Sequence, residues 1–150
     1  MPQQSVEILL VEDNPADVEL TLAALRRNNL ANEIHVCRDG EEALEYVFGG
    51  DGHHNVSSLK VVLLDLKLPK VDGLEVLRAL KGDERTRALP VVVLTSSHEE
   101  RDMVQSYNLG VNSYIQKPVD FDQFREMVRQ IGLYWLVVNQ LAPVHATAAA

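Results

Sequence analysis

Strand-like and helix-like stretches alternate five times along the chain, and this alternation is the feature that most limits the possible folds. The strand-like stretches are short, apolar and rich in β-branched residues, as buried strands are; they are Val6–Val11, Ile34–Cys37, Leu59–Leu64, Pro90–Leu94 and Val111–Gln116. Consecutive β–α units form right-handed crossovers, which give a parallel sheet with helices on both faces. The sequence therefore predicts an α/β fold with a doubly wound five-stranded parallel sheet and five helices.

The helix-like stretches carry start signals and apolar faces. Asn14 can cap a helix that begins at Pro15, and Asp17 suits the positive end of that helix. Asp39 and Glu42 have the spacing of a capping box for the second helix. Apolar residues at helical spacing predict the third helix from about Leu74 to Gly82, the fourth around Met103, Val104 and Tyr107, and the fifth from Phe121 to about Leu136.

Composition excludes several classes of function. The 150 residues include 14 Lys and Arg against 22 Asp and Glu, a net charge of −8. We therefore expect neither nucleic acid nor an anionic membrane as a partner, because both attract cationic surfaces. No apolar run is long enough to span a bilayer, and the first residues do not resemble a signal peptide. Cys37 is the single cysteine, which fits a reducing cytoplasm, and its apolar surroundings predict a buried thiol rather than a nucleophile.

Polar residues follow four of the predicted strands. Glu12 and Asp13 follow the first strand, Asp65 the third, Thr95 the fourth and Lys117 the fifth. The carboxyl ends of parallel strands meet at one edge of a sheet, where such folds place their functional groups. We therefore expect three carboxylates, a hydroxyl and an ammonium to lie together.

Such a cluster favours a particular chemistry. Carboxylates that lie close together repel one another, and a hard divalent cation with oxygen ligands, Mg²⁺ above all, removes the conflict. A carboxylate can also attack phosphorus and form an aspartyl phosphate. Phosphoryl transfer then needs mainly positioning and neutralisation of the phosphoryl oxygens, which Mg²⁺, Lys117 and the Thr95 hydroxyl can supply.

These residues lie in motifs that resemble those of the receiver domain of two-component response regulators. The matching motifs, over about residues 5–136, are Leu10–Asn14, Leu63–Pro69, Asp72–Gly73, Pro90–Ser96 and Gln116–Pro118. The resemblance implies a flavodoxin-like fold with strand order 2-1-3-4-5. It also implies a protein that catalyses only its own phosphorylation and dephosphorylation and is otherwise no enzyme.

The resemblance assigns a role to each site residue. Asp65 matches the residue that accepts the phosphoryl group. Asp13 matches the direct Mg²⁺ ligand, Glu12 the acidic neighbour that acts mainly through a metal-bound water, and Lys67 the position whose backbone carbonyl binds the metal. No other cofactor is implied.

Three further positions match the residues that respond to phosphorylation. Thr95 matches the switch hydroxyl, Lys117 the lysine of the site, and Tyr114 the aromatic residue that turns inward when the threonine engages phosphate. The bond between Lys117 and Pro118 matches one that is cis in the family.

Simpler interpretations remain for individual residues. Glu12 and Asp13 can form a solvated helix entry, Lys117 a surface ion pair, Thr95 a cap, and Tyr114 ordinary sheet packing. The pair His53–His54 lies in a polar, glycine-rich stretch without matched ligands, which predicts a solvated loop. Two other functions stay open: a receiver-like adaptor that is not phosphorylated, and a flavodoxin-like electron carrier.

The end of the chain resembles that of the single-domain regulators that pair with bacterial and cyanobacterial phytochrome histidine kinases. The dense apolar run Leu133–Val138 exceeds what one helix face can bury, and such patches mark interfaces. We expect a stand-alone regulator whose partners are a sensor histidine kinase and a second copy of itself, although Trp135 can instead fold back onto its own domain. The predicted domain spans residues 1–142, and 143–150 form a flexible tail.

Overall fold

The computed structural model describes residues 7–27, 33–49, 59–96, 110–111 and 113–130. Strands and helices alternate within these residues. In chain order they are β1 (Glu7–Val11), α1 (Pro15–Arg27), β2 (Glu33–Cys37), α2 (Gly40–Phe48), β3 (Leu59–Asp65), α3 (Gly73–Gly82), β4 (Val91–Thr95), β5 (Ser113–Gln116) and α4 (Phe121–Gln130).

All five strands are parallel and lie in the order β2-β1-β3-β4-β5. The predicted sheet and strand order are thus confirmed. The predicted helix through Met103, Val104 and Tyr107 lies outside the described residues, so the count of five helices stays a prediction. The pair His53–His54, the run Leu133–Val138 and the predicted tail also lie outside them.

Alternation along the strands divides the core into two layers. In β1, Ile8 and Leu10 belong to a layer that contains buried residues of α1, whereas Leu9 and Val11 belong to a layer with α2 and α3. The central strand β3 is buried along most of its length, as expected for a parallel strand that is covered on both faces.

Local signals set the starts of α1 and α2. The Asn14 Oδ1 accepts hydrogen bonds from the N–H groups of Ala16 (2.9 Å) and Asp17 (3.1 Å), which confirms the predicted cap. The Asp39 Oδ1 accepts one from the Glu42 N–H at 2.7 Å. The predicted capping box differs in one contact, because the Glu42 carboxylate accepts from the N–H of Arg38, at 2.8 Å, one residue before the cap.

None of the helices among the described residues combines the length and apolar character that crossing a membrane requires.

Gly73 brings the start of α3 directly against the end of β3. Its N–H donates to the Leu66 carbonyl at 2.9 Å. A Cβ at this position would lie 2.4 Å from the Asp65 carbonyl oxygen and 2.5 Å from the Leu66 Cα. Only glycine therefore allows this approach, which fixes the backbone that carries Asp65.

We expect Gly73→Ala to lower the free energy of unfolding by about 1–3 kcal/mol, because the backbone must move to admit the methyl group. Gly82, in the same helix, is the matched control, since nothing lies within 4 Å of a Cβ placed there. Gly82→Ala should change stability by less than about 1 kcal/mol and in the favourable direction. Urea denaturation measures both; equal stabilities of the two variants would contradict the close approach at Gly73.

Candidate functional site

Sheet register gathers the predicted site residues at one edge. The strand order reverses between β1 and β3, which is where open α/β sheets bind ligands. Val11 pairs with Leu64, so the residues that follow them, Glu12 and Asp65, lie side by side. Asp65 in turn pairs with Leu94, next to Thr95.

A buried ion-pair network occupies the centre of the site. The Lys117 Nζ lies 3.2 Å from the Asp65 Oδ2 and 3.4 Å from the Glu12 Oε1. The exposed fractions of the side chains are 0% for Glu12, 2% for Asp65 and 15% for Lys117. Buried charges require such partners, because each loses its hydration. This arrangement excludes the simpler interpretation of Lys117 as a surface ion pair and of Glu12 as a solvated residue.

Glu12 is held in place and resists ionisation. Its N–H donates to the Cys37 carbonyl at 2.9 Å, and its Oε2 accepts from the Asn14 N–H at 3.1 Å. Burial, followed by the nearby charge of Asp65, raises the pKa of Glu12 from 4.5 to about 7. Near neutral pH, a proton on Glu12 would therefore compete with any cation that uses this carboxylate as a ligand.

Lys117 keeps its charge despite being largely buried. Burial lowers its pKa, but the hydrogen bond with Asp17 and the charges of Asp65 and Glu12 outweigh this effect and raise the pKa above its ordinary value. The Lys117 N–H donates to the Thr95 carbonyl at 2.8 Å. The peptide bond between Lys117 and Pro118 is cis, as predicted.

Asp13 completes a set of oxygen donors that suits a hard dication. Glu12, Asp13 and Asp65 each offer a carboxylate oxygen, and the three atoms lie within 4.8 Å of one another. Octahedral Mg²⁺ with ligands at about 2.0–2.1 Å places their oxygens about 2.9–4.2 Å apart. Small side-chain movements would thus allow all three to ligate Mg²⁺. Asp13 is exposed, so this side of the cluster is open to solvent.

The structure places Lys67 and Thr95 beside this centre and Tyr114 in the neighbouring strand β5. The Lys67 N–H donates to the Asp65 Oδ1 at 3.2 Å, which puts its backbone beside the acceptor carboxylate. Thr95 is buried, with 3% of its surface exposed, at the end of β4. Tyr114 is half-buried in β5, where it pairs with Val93 and packs on the core layer of α2 and α3. Their roles stay predictions.

Asp17 is a site residue that sequence reasoning missed. Its Oδ2 lies 3.0 Å from the Lys117 Nζ, closer than the oxygen of either buried carboxylate. The sequence predicted only a favourable charge at the start of α1. Its place in the first turn of the helix that follows β1 was the available signal, because that turn lies at the edge of the sheet where the site forms.

A second group of potential metal ligands serves the fold. Atoms of His35, Cys37 and Glu42 lie within 4.8 Å of one another. The His35 ring stacks on that of Tyr46 with centroids 4.0 Å apart, and Glu42 accepts from the Arg38 N–H. Burial, with the charges of Glu42 and Asp39, raises the pKa of Cys37 to about 12. The prediction that the Cys37 thiol is buried is confirmed.

Comparison with known proteins assigns the family. Residues 8–129 match the model of the response regulator receiver domain. The chain belongs to this family. Its sequence is 46% identical to that of the probable methanogenesis regulatory protein FilR2 of Methanothrix harundinacea, over 89% of this chain and 85% of that protein. It is 40% identical to the response regulator Rcp1 of Synechocystis, over 86% of this chain and 88% of Rcp1.

Solved receiver structures agree with this assignment and narrow it. The bacteriophytochrome response regulator RtBRR is 51% identical, with a TM-score of 0.81 over 87% of this chain and 80% of that one. AtBRR, also a bacteriophytochrome response regulator, is 54% identical, with a TM-score of 0.78 over 89% and 96%. This receiver is thus homologous to the regulators associated with phytochromes.

Of two further receiver structures, one is phosphorylated and the other contains a bound metal ion. Phosphorylated RcpA, a cyanobacterial phytochrome response regulator, is 39% identical, with a TM-score of 0.68 over 88% of this chain and 94% of that one. Rcp1 with bound Mn²⁺ is 37% identical, with a TM-score of 0.67 over 87% and 94%. One homologous receiver therefore binds a divalent metal, and another is phosphorylated.

The raised pKa of Glu12 predicts how pH affects the metal-free receiver. The unfolded carboxyl ionises near pH 4.5 and the folded one near pH 7, so folding favours the protonated form. This contribution to stability is complete below pH 4.5 and is lost as the pH rises through 7. Relative to Glu12→Gln, which stays neutral, the wild type should lose up to about 3 kcal/mol of unfolding free energy across this range.

Urea denaturation with a chelator present, at several pH values, measures this difference. Mg²⁺ should stabilise the wild type more at pH 8 than at pH 5, because the ion needs ionised ligands. A stability difference between wild type and Glu12→Gln that does not change with pH would contradict the assigned environment of Glu12.

Proposed function

We propose that this receiver accepts a phosphoryl group from a sensor histidine kinase onto Asp65 in a Mg²⁺-dependent reaction. The phosphorylated form then signals through a change of conformation and through protein–protein contacts. The observation that carries the proposal is the position of the Asp65 carboxylate, which is 2% exposed, beside Lys117 and two further acidic side chains.

Hydrogen bonds orient the Asp65 carboxylate for attack. Its Oδ1 accepts from the Lys67 N–H and its Oδ2 from the Lys117 ammonium, both at 3.2 Å. These contacts on both oxygens restrict rotation of the carboxylate before the donor arrives. Fixed orientation lowers the entropic cost of reaching the transition state.

The proposed transfer conserves charge and atoms. An Asp65 oxygen attacks phosphorus, an O–P bond forms, and the N–P bond of the kinase phosphohistidine breaks, its electron pair remaining on the imidazole, which takes up a proton. Hydrolysis later reverses the modification: water attacks phosphorus, the bond to Asp65 breaks with its electron pair on the carboxylate, hydrogen phosphate leaves, and one proton of the water passes to solvent. Lys117, whose charge is maintained by its acidic neighbours, is placed to neutralise a phosphoryl oxygen.

The charge balance of the site supports the need for a dication. Four acidic side chains, Glu12, Asp13, Asp17 and Asp65, lie at the site, and the Lys117 ammonium pairs with three of them, Glu12, Asp17 and Asp65. Mg²⁺ held by Glu12, Asp13, Asp65 and the Lys67 carbonyl would supply the positive charge that offsets the carboxylates and the incoming phosphoryl oxygens. The Mn²⁺-bound form of the homologue Rcp1 supports the use of a divalent metal by this receiver.

Thr95 and Tyr114 are the proposed switch. Thr95 ends the strand beside Asp65, and the Lys117 N–H binds its carbonyl. A phosphoryl oxygen that accepts a hydrogen bond from the Thr95 hydroxyl would favour one of two conformations, with Tyr114 moving into the space that Thr95 leaves. The structure of phosphorylated RcpA supports a phosphorylated state for a homologue.

The partners follow from the homologues. RtBRR, AtBRR and RcpA are each described as phytochrome response regulators, which supports a phytochrome histidine kinase as the phosphoryl donor. A homodimer through the C-terminal helix stays a prediction, since most of that segment lies outside the described residues. The adaptor and electron-carrier alternatives gain no specific support from the described residues.

Asp65→Asn should abolish phosphoryl uptake, because the amide is a poor nucleophile and cannot form the acyl phosphate. Incubation with radiolabelled acetyl phosphate and Mg²⁺ measures uptake directly. Asp122→Asn, an equal change at an exposed position of α4, is the matched control and should take up label as the wild type does. A chelator that removes Mg²⁺ should abolish phosphoryl uptake by the wild type and by Asp122→Asn.

Label on Asp65→Asn at the wild-type level would contradict the assignment of the acceptor. Absence of Mg²⁺-dependent uptake in the wild type, with acetyl phosphate and with a cognate kinase, would instead favour the phosphorylation-independent adaptor.

Thr95→Ala should allow phosphorylation of Asp65 but prevent the change of conformation that we propose follows it. Uptake onto Asp65 should persist, since Thr95 supplies no nucleophile, but the shift between conformations should be largely lost. Amide chemical shifts around Tyr114, recorded with and without beryllofluoride and Mg²⁺, report that shift; Thr95→Ser retains the hydroxyl and is the control. A full response in Thr95→Ala would exclude Thr95 as the switch.

A further inference from the structure

We propose that Asp17 is a positioning residue that holds the Lys117 ammonium at the outer side of the site and competes for it with a phosphoryl group attached to Asp65. Asp17 would thereby weaken the phosphorylated state relative to the unphosphorylated one. The inference rests on the proposed function and adds a residue that sets how readily this receiver is phosphorylated.

The ammonium of Lys117 has no hydrogen-bonding capacity left over. It carries three N–H donors, and three carboxylate oxygens lie within hydrogen-bonding distance: Asp17 at 3.0 Å, Asp65 at 3.2 Å and Glu12 at 3.4 Å. A phosphoryl oxygen on Asp65 lies within reach of the same ammonium. It can gain a full hydrogen bond from Lys117 only if one of the three contacts opens.

Phosphorylation converts the Asp65 carboxylate into an acyl phosphate, which holds Lys117 less tightly. Of the two contacts with side chains that stay carboxylates, the one with Asp17 opens at lower cost, because Glu12 is 0% exposed and water has little access to it. Asp17 is 23% exposed, and water can solvate its carboxylate once the ammonium leaves. The exchange of Asp17 for a phosphoryl oxygen therefore leaves no buried charge without a partner.

Asp17 cannot easily follow the ammonium inward. Its backbone N–H is bound to the Asn14 Oδ1 at 3.1 Å in the cap of α1, which fixes the start of its side chain. Its negative charge also repels the charge of a phosphoryl group bound nearby. Competition for Lys117 and charge repulsion act in the same direction, and both oppose phosphorylation.

The test compares the affinity for beryllofluoride, a phosphoryl analogue, at saturating Mg²⁺ in four proteins. Asp17→Asn keeps the size of the side chain and removes its charge, and it should bind about three- to tenfold more tightly than the wild type. Asp17→Glu keeps the charge and should remain within about twofold of the wild type. Glu19→Gln, an equal change of charge at an exposed position of α1, should also remain within about twofold.

The direction of the effect separates this role from a structural one. If the ion pair between Asp17 and Lys117 were merely structural, its loss would lower both the affinity for beryllofluoride and the thermal stability. We expect instead that the neutral variants bind beryllofluoride more tightly while their thermal stability is equal to or lower than that of the wild type. Asp17→Ser serves as a second neutral variant if Asp17→Asn folds poorly.

Unchanged or weaker binding by the neutral variants would overturn the role of Asp17 and leave the proposed function intact. Equal tightening in Glu19→Gln would also overturn it, because the effect would then come from net charge alone. A wild type that binds neither beryllofluoride nor phosphoryl groups would remove the proposed function and, with it, this inference.

Discussion

The pairing of one largely buried ammonium with buried carboxylates is the interaction on which this receiver depends. Glu12 and Asp65 are almost fully removed from water and lie next to each other, so two uncompensated charges would be strongly unfavourable there. Lys117, brought from the end of β5, makes the arrangement tolerable. The single positive charge of Lys117 does not fully offset the charges of the two carboxylates, as the raised pKa of Glu12 indicates. The site therefore still attracts positive charge.

The parallel sheet is what permits this pairing. Antiparallel strands would send alternate carboxyl ends to opposite edges, whereas five parallel strands deliver all of theirs to one edge. The neighbouring strands β1 and β3 supply the acids, and β4 and β5 supply the hydroxyl and the ammonium. The apolar layers on both faces, which keep the strands in register, therefore also fix the geometry of the charged site.

Sequence reasoning predicted the sheet well because its signals are local and repetitive. Apolar β-branched stretches mark buried strands, and residues at strand ends share an edge whatever the detailed packing. It predicted Asp65 and Lys117 as neighbours for that reason. It missed the contact between Asp17 and Lys117, 100 residues apart in the chain, because a helix residue reaches a strand end only through particular side-chain conformations. Side-chain conformation also decides the contact of Glu42. Its carboxylate accepts a hydrogen bond from the Arg38 N–H, whereas the predicted capping box has the Asp39 N–H as the donor.

The four carboxylates of the site differ most in their exposure to water, and this difference gives them different functions. Glu12 and Asp65 are almost fully buried, so water has little access to replace their partners. Asp13 and Asp17 lie at the outer side and can change partners at low cost. Under the proposed function, an incoming metal or phosphoryl group would change the partners of the outer pair more readily than those of the inner pair. Such a division would keep the proposed acceptor and its ammonium in place, while the charge at the outer side would set the stability of the proposed phosphorylated state.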